Sequence, residues 1–205
     1  YENINGVSGL TYNLDNSGNV VITKLEKSSI YTKKIDNQYS EISFSLPNVK
    51  VGSVIEFKYT DTKKSIASLD DWYFQDDIPT RLSEYNILVP SIFRFTTQLL
   101  AYQNVEQKQD IKPENAMYGS ARLSYNSVAK TYILRNVPAI REEPFMGAPR
   151  DYLQRVIFQL SQIDYGEGDI KDVRSTWPKL AHDLLEDDDF GVQLKKNIPH
   201  TKELD

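Results

Sequence analysis

The sequence predicts a mainly β protein, an antiparallel β-sandwich with a C-terminal amphipathic helix. Three observations carry that prediction. Segment after segment alternates apolar and polar residues with a period of two. Turn-forming residues bound each of these segments. A helical period of 3.6 emerges only after Thr176. Composition agrees: 13 Tyr against 9 Gly in 205 residues suits strands with one exposed face.

The elements follow in chain order. Gly9–Asp15 and Asn19–Leu25 form a predicted hairpin through Asn16-Ser17-Gly18. Ser29–Ile35 and Tyr39–Leu46 form a second around Asp36-Asn37. In Ser53–Thr60 the residues Ile55, Phe57 and Tyr59 share one face, which predicts a half-buried strand. In Ser83–Val89 the shared face is Tyr85, Ile87 and Val89, and Pro79 and Pro90 bracket the strand. Phe93–Tyr102 alternates as well. Asn104–Asn115 is polar and carries Pro113, so it reads as a loop. Ala121–Tyr125 and Thr131–Leu134 read as one more hairpin. Val137–Pro149 holds three prolines and reads as a connector; Arg141, Glu142 and Glu143 within it read as solvated. Tyr152–Ile163 returns to a strand with Val156, Phe158 and Leu160 on one face. Tyr165–Asp172 is a Gly- and Asp-rich loop. The predicted organisation is therefore a sandwich core over 1–136, a connector over 137–149, a returning strand and loop over 150–174, and a helical linker over 175–205.

The helix is predicted over Thr176–Asp188. Trp177, Leu180, Ala181, Leu184 and Leu185 fall on one stripe. Ser175 or Thr176 can cap it, and Pro178 is tolerated in the first turn. Acids Glu186–Asp189 sit at the unfavourable end of the helix dipole, which places the end near Asp188. Phe190–Asn197 then reads as a further turn or short helix. Such a stripe needs cover, because an isolated helix of this length is marginal in water. The helix is expected to pack part of its stripe on the β domain. Trp177, Leu185 and Phe190 are the candidate docking residues, for a following domain or for self-association of the fragment.

The densest cluster is Asp70-Asp71-Trp72-Tyr73-Phe74-Gln75-Asp76-Asp77. Three consecutive rings cannot share one face of a strand. Either Trp72 and Phe74 plug the core while Tyr73 covers an edge, or the rings form a ligand platform. The candidate binding residues on the second reading are Trp72, Tyr73, Asp76 and Asp77, with a peptide or carbohydrate as ligand. The core reading weighs more, since large rings dominate core energetics. The acids come as two adjacent pairs without the alternating acids and glycine of a calcium loop, so no metal ligand is assigned. Tyr165–Asp172 lacks the Lys-Ser/Thr of a phosphate loop, and no cofactor is expected.

With no cysteine, disulfides, Cys-ligated zinc and a Cys nucleophile are excluded within these residues. The two histidines, His182 and His200, have no ligand-spaced partner. No catalytic residue is assigned and no enzymatic activity is expected. A net charge of −5 without a basic patch argues against nucleic acid. No apolar run reaches the roughly 18 residues of a membrane span, and no signal peptide is evident.

The motifs TYNL, TKL, FSLPNVKVGSVIEFKYT, DWYFQDDIPTRLSEY, EEPFM, DYL, FQLS and TWPKLAHDLL occur in that order from Thr11 to Gly191. In content and spacing they resemble an uncharacterised β-rich domain of bacterial extracytoplasmic proteins. In that family the domain precedes a transglutaminase-like, papain-fold domain. The resemblance implies a periplasmic or cell-surface protein and a non-catalytic accessory module that positions substrate or packs on the catalytic domain. The alternative is a free-standing carbohydrate- or peptide-binding module. The partner domain, with its Cys-His-Asp triad, is expected after Asp205. Family members carry strands ahead of TYNL, so a sheet edge is expected to be open or paired with another chain.

Overall fold

A computed structural model describes residues 2–37, 39–64, 68–118, 121–141, 143–173, 176–188 and 190–192, without the side chains of 116–118 and 121–123. Contacts divide the chain into two units, 1–66 and 67–205. The division falls inside the stretch 1–136 that the sequence presents as one core.

The first unit holds β1 (Glu2–Leu14), β2 (Val20–Lys24), β3 (Ile30–Lys34), β4 (Ser40–Phe44) and β5 (Val54–Lys63). All pairings are antiparallel; β1 lies between β2 and β5, and β3 pairs with β4. Both predicted turns form. The Asp15 carboxylate accepts the backbone N–H groups of Ser17 (2.8 Å) and Asn19 (2.9 Å), and Gly18 sits at φ 82°. These bonds, first those from Asn19, hold the Asp15 carboxyl below its usual range. Asp36 accepts from Tyr39 N at 2.8 Å.

Strand β1 starts well ahead of the predicted Gly9, and its first residues pair with the end of β5. A Cβ on Gly9 would lie 2.5 Å from Leu46 Cδ2 and 3.2 Å from the Glu56 carbonyl oxygen, so a larger residue there would push the Leu46 side chain aside. One expectation fails here. The face of Ile55, Phe57 and Tyr59 is not buried: they are 50, 54 and 54 % exposed, and every residue of β5 is exposed on both faces. The sheet has three strands, and the Phe57 ring lies against Phe44, 5.7 Å between ring centres. Among the described residues no strand pairs with the outer edge of β2 or β5.

The second unit holds β6 (Trp72–Tyr73), β7 (Thr80–Pro90), β8 (Phe93–Leu100), β9 (Glu106–Tyr118), β10 (Ala121–Val137), β11 (Arg155–Asp164), β12 (Ile170–Asp172) and α1 (Trp177–Glu186). One sheet runs β7-β10-β9; in the other, β11 pairs with β8, β6 and β12, all antiparallel. The inner faces meet in one cluster of Phe74, Val105, Tyr132, Leu134, Val137, Val156 and Phe158. Phe158 of β11 lies 5.8 Å from both Tyr85 of β7 and Tyr132 of β10, which joins the sheets face to face. Tyr85, Ile87 and Val89 are the inward row of β7, as their alternation predicts.

Three predictions for this unit need correction. Asn104–Asn115 is largely strand β9, paired with β10 along its length. It lies at the sheet edge, where Pro113 is tolerated and polar side chains face water. Ala121–Tyr125 and Thr131–Leu134 are parts of one 17-residue strand, β10, and Asn126-Ser127 lie mid-strand beside Pro90 and Lys112. Tyr165–Asp172 is a tight turn followed by β12; Gly166, Glu167 and Gly168 all take positive φ there. Val137 is the last residue of β10, and the rest of the connector carries no strand among its described residues; Pro149 opens a short 3-10 turn. No helix among the described residues is long and apolar enough to cross a membrane.

Candidate functional site

The cluster around Trp72 sits where β6 joins the start of β11: Trp72 lies opposite Val156, and Tyr73 opposite Arg155. Strand alternation splits the three rings. Trp72 is half-buried and stacks on Tyr85, 4.9 Å between centres and 11° between planes. Its indole N–H donates to Ser83 Oγ at 3.1 Å. Tyr73 covers the edge, with the Arg150 guanidinium 4.6 Å and that of Arg155 5.7 Å from its ring centre. Phe74 is 1 % exposed, inside the core. The rings thus follow the core reading, with Phe74 as the plug and Trp72 stacked beside it.

Gln75 and Gln154 extend the cluster, and both are buried. The Gln75 amide donates to Pro138 O (2.9 Å) and Tyr102 Oη (3.1 Å), and its Oε1 accepts from Gln154 N at 3.3 Å. The Gln154 side chain donates to Gln103 Oε1 at 2.8 Å and accepts from Gln103 N at 3.0 Å. Phe74 N donates to Gln154 O at 2.8 Å. Two amides therefore clip β6, the connector and the start of β11 together. Sequence reasoning missed this pair, because an isolated Gln gives no periodic signal.

The acids around the rings are exposed: Asp71, Asp76 and Asp77 all face solvent. Asp76 serves the local turn, accepting Asp77 N on Oδ1 (2.8 Å) and Ile140 N on its carbonyl (2.9 Å). Among the described residues no group of three or more metal-ligating side chains converges. Of the candidate binding residues, Trp72 and Tyr73 are adjacent on β6, while Asp76 and Asp77 follow in the turn.

Tyr85, stacked on Trp72, is a titratable member of this cluster. Burial, then the charge of Asp70 and the neighbouring Tyr132, push its hydroxyl above the ordinary 10.0. The folded chain therefore holds this proton more tightly than the unfolded chain. The associated stability is fully present below about pH 10 and is lost as pH rises through the folded value. In alkaline melting series the wild type should lose stability more steeply above about pH 10 than Tyr85→Phe. Parallel curves would remove Tyr85 from the account.

The second candidate surface is α1. Thr176 caps it, its Oγ1 accepting Lys179 N at 3.4 Å, and Pro178 lies in its first turn. The expected partial packing on the β domain is absent: no residue of the ten-residue helix is buried. Trp177 is 84 % exposed, Leu185 50 % and Phe190 51 %. Pro178 in the first turn and the acids from Glu186 onward bound the helix to ten residues, less than three turns. His182 lies 3.6 Å from Glu186, both exposed, a pair of little energetic weight. His200 and Ser175 lie outside the described residues.

The architecture is that of a mainly β module of several antiparallel sheets with one short C-terminal helix. The chain belongs to the DUF3857 family, a domain of unknown function with a solved structure, which it matches over residues 12–132. Its fold is similar to that of a "putative protease" from Parabacteroides distasonis, known from a crystal structure, at a TM-score of 0.53 and 17 % identity. The likeness covers 78 % of this chain and 33 % of that one, so the chain spans about one third of the length of that protein. Among curated proteins none matches significantly.

Proposed function

We propose that the chain is a non-catalytic accessory module of a transglutaminase-like protein, and that α1 docks on the catalytic domain following Asp205. The observation that carries this reading is the uncovered apolar stripe of α1. Trp177, Leu180, Leu184 and Leu185 are all exposed on ten residues. A stripe of that kind marks an interaction surface. The family resemblance supplies the identity of the partner and, with it, the periplasmic or cell-surface location. The similar crystal structure supports the arrangement, since the shared fold takes up 33 % of a protein named as a "putative protease".

The alternative, a carbohydrate- or peptide-binding module on Trp72-Tyr73-Phe74, has weaker support. Tyr85 already occupies one face of Trp72, two guanidinium groups lie against Tyr73, and Phe74 is core.

Two measurements test the proposal. The gene should read on past Asp205 into a domain with a Cys-His-Asp triad; an early stop codon would refute it. Trp177→Asp and Leu185→Asp should each weaken binding of that separately produced domain by about tenfold or more. Melting temperature should stay nearly unchanged, because neither side chain is buried. Undiminished binding by both variants would remove α1 as the docking element. The isolated chain should not turn over peptides; repurified activity that vanishes in Asp76→Asn or Asp77→Asn would contradict a non-catalytic role.

A further inference from the structure

The two sheets of the second unit do not meet along their whole length. They close where Phe158 touches Tyr132 and Tyr85. Towards Val128 and Phe95 they stand apart, around a cleft of about 390 Å³. That volume falls within the range of small-molecule sites, roughly 300–1,000 Å³. Its apolar walls include Ile87, Val89, Phe95, Val128 and Phe158, drawn from both sheets. A smaller hollow of about 180 Å³ shares Thr97, Gln109 and Lys130 with it and is otherwise lined mainly by polar residues. These three polar side chains therefore stand at the junction of an apolar space and a polar one.

Two of the three are unusual for their places. Lys130 lies in the inward row of β10, between Val128 and Tyr132, where alternation calls for an apolar residue. It is half-buried and has no ion pair or hydrogen bond among the described residues. Thr97 lies opposite Phe158 in the β8–β11 ladder, and its Oγ1 is buried without a partner. A buried hydroxyl left unpaired is unfavourable, and a native fold normally satisfies it. The lining of both hollows contains no Asp or Glu, whereas the chain as a whole carries −5. The other cation at the larger cleft, Arg94, is already matched by Asp164 at 2.7 Å. Lys130 is thus an unmatched cation in the lining of an apolar cleft.

We infer that this inter-sheet cleft binds a small amphipathic carboxylate, its apolar part between Phe95, Val128 and Phe158 and its anionic group at Lys130. Charge selects the head group: Lys130 supplies a charge-assisted bond. Apolar area selects the tail. A fatty acyl chain and the free C-terminus of an apolar peptide share this chemistry.

Isothermal titration and backbone NMR on the full chain test the inference with three probes: octanoate, octan-1-ol and N-acetyl-Leu-Leu with a free carboxylate. Saturable binding of either carboxylate is expected, with resonance shifts centred on Phe95, Thr97, Val128 and Lys130. Octanoate binding identifies an acyl chain as the natural class, and binding of the peptide alone identifies a peptide C-terminus. Lys130→Met should weaken the bound carboxylate about tenfold or more, a loss typical of a removed charge-assisted bond, while octan-1-ol binding should not weaken. Val128→Phe fills the apolar space and should abolish binding of the same probe, with the melting transition retained to show folding. The inference is overturned if neither carboxylate saturates below its solubility limit, or if shifts lie outside the cleft. It is overturned equally if Lys130→Met and folded Val128→Phe bind as well as the wild type.

Discussion

Phe74→Ala is expected to lower the stability of the second unit by about 3–5 kcal/mol, the usual loss for a fully buried aromatic ring. Phe74 is 1 % exposed and packs in the cluster that joins the two sheets. Its removal forfeits the transfer energy of the ring and leaves a void beside Val156, which is fully buried. Domains of this size hold roughly 5–15 kcal/mol in total. The variant should therefore unfold at a much lower urea concentration and lie near the threshold of folding. Asp77→Ala is the matched control. Asp77 is exposed and accepts no hydrogen bond that packing depends on, so its midpoint should barely move. Equal midpoints for the two variants would deny Phe74 its role.

Gln154→Leu is expected to be nearly as damaging, by a different route. Its volume is close to that of Gln, so little cavity forms. What is lost are the partners of Gln103 N and Gln103 Oε1, both in part-buried bonds. Each unpaired group costs about 1–3 kcal/mol, so the variant should lose roughly 2–6 kcal/mol. Chemical denaturation of the variant measures this directly. A loss under about 0.5 kcal/mol would mean that water reaches both Gln103 groups and replaces the amide.

The sequence showed much of the fold, for reasons that can be traced to particular residues. Ser83–Val89 was legible because one face of β7 packs on a core and the other meets water. The helix was legible from its stripe and its Thr176 cap. Strand β9 was not, because it is a polar edge strand whose pairing energy comes from the backbone, and Pro113 imitates a loop signal. The continuity of β10 was hidden by Asn126-Ser127, turn residues in composition but strand residues in this ladder. Lys130 was overlooked with it, since it falls between the two short strands that the pattern suggested. Among the candidate sites, the fate of the aromatic rings could be argued from crowding alone. The amide pair could not, because Gln75 and Gln154 lie 79 positions apart and only the fold brings them together.

That separation bears on the order in which the second unit assembles. Ser124 and Asn115, bonded across the β9–β10 ribbon, are 9 positions apart. Closing a loop costs about 0.6 kcal/mol more for each doubling of its length. The clip between Gln75 and Gln154 is about three doublings longer, an extra entropic penalty of roughly 2 kcal/mol. The ribbon can thus nucleate early, while the short β6 strand, with Phe74 behind it, locks onto β11 late. Interactions formed after the folding barrier govern how fast the native state opens rather than how fast it forms. On that ordering Phe74 and the two amides act as a latch: they set the lifetime of the folded unit more than its rate of folding.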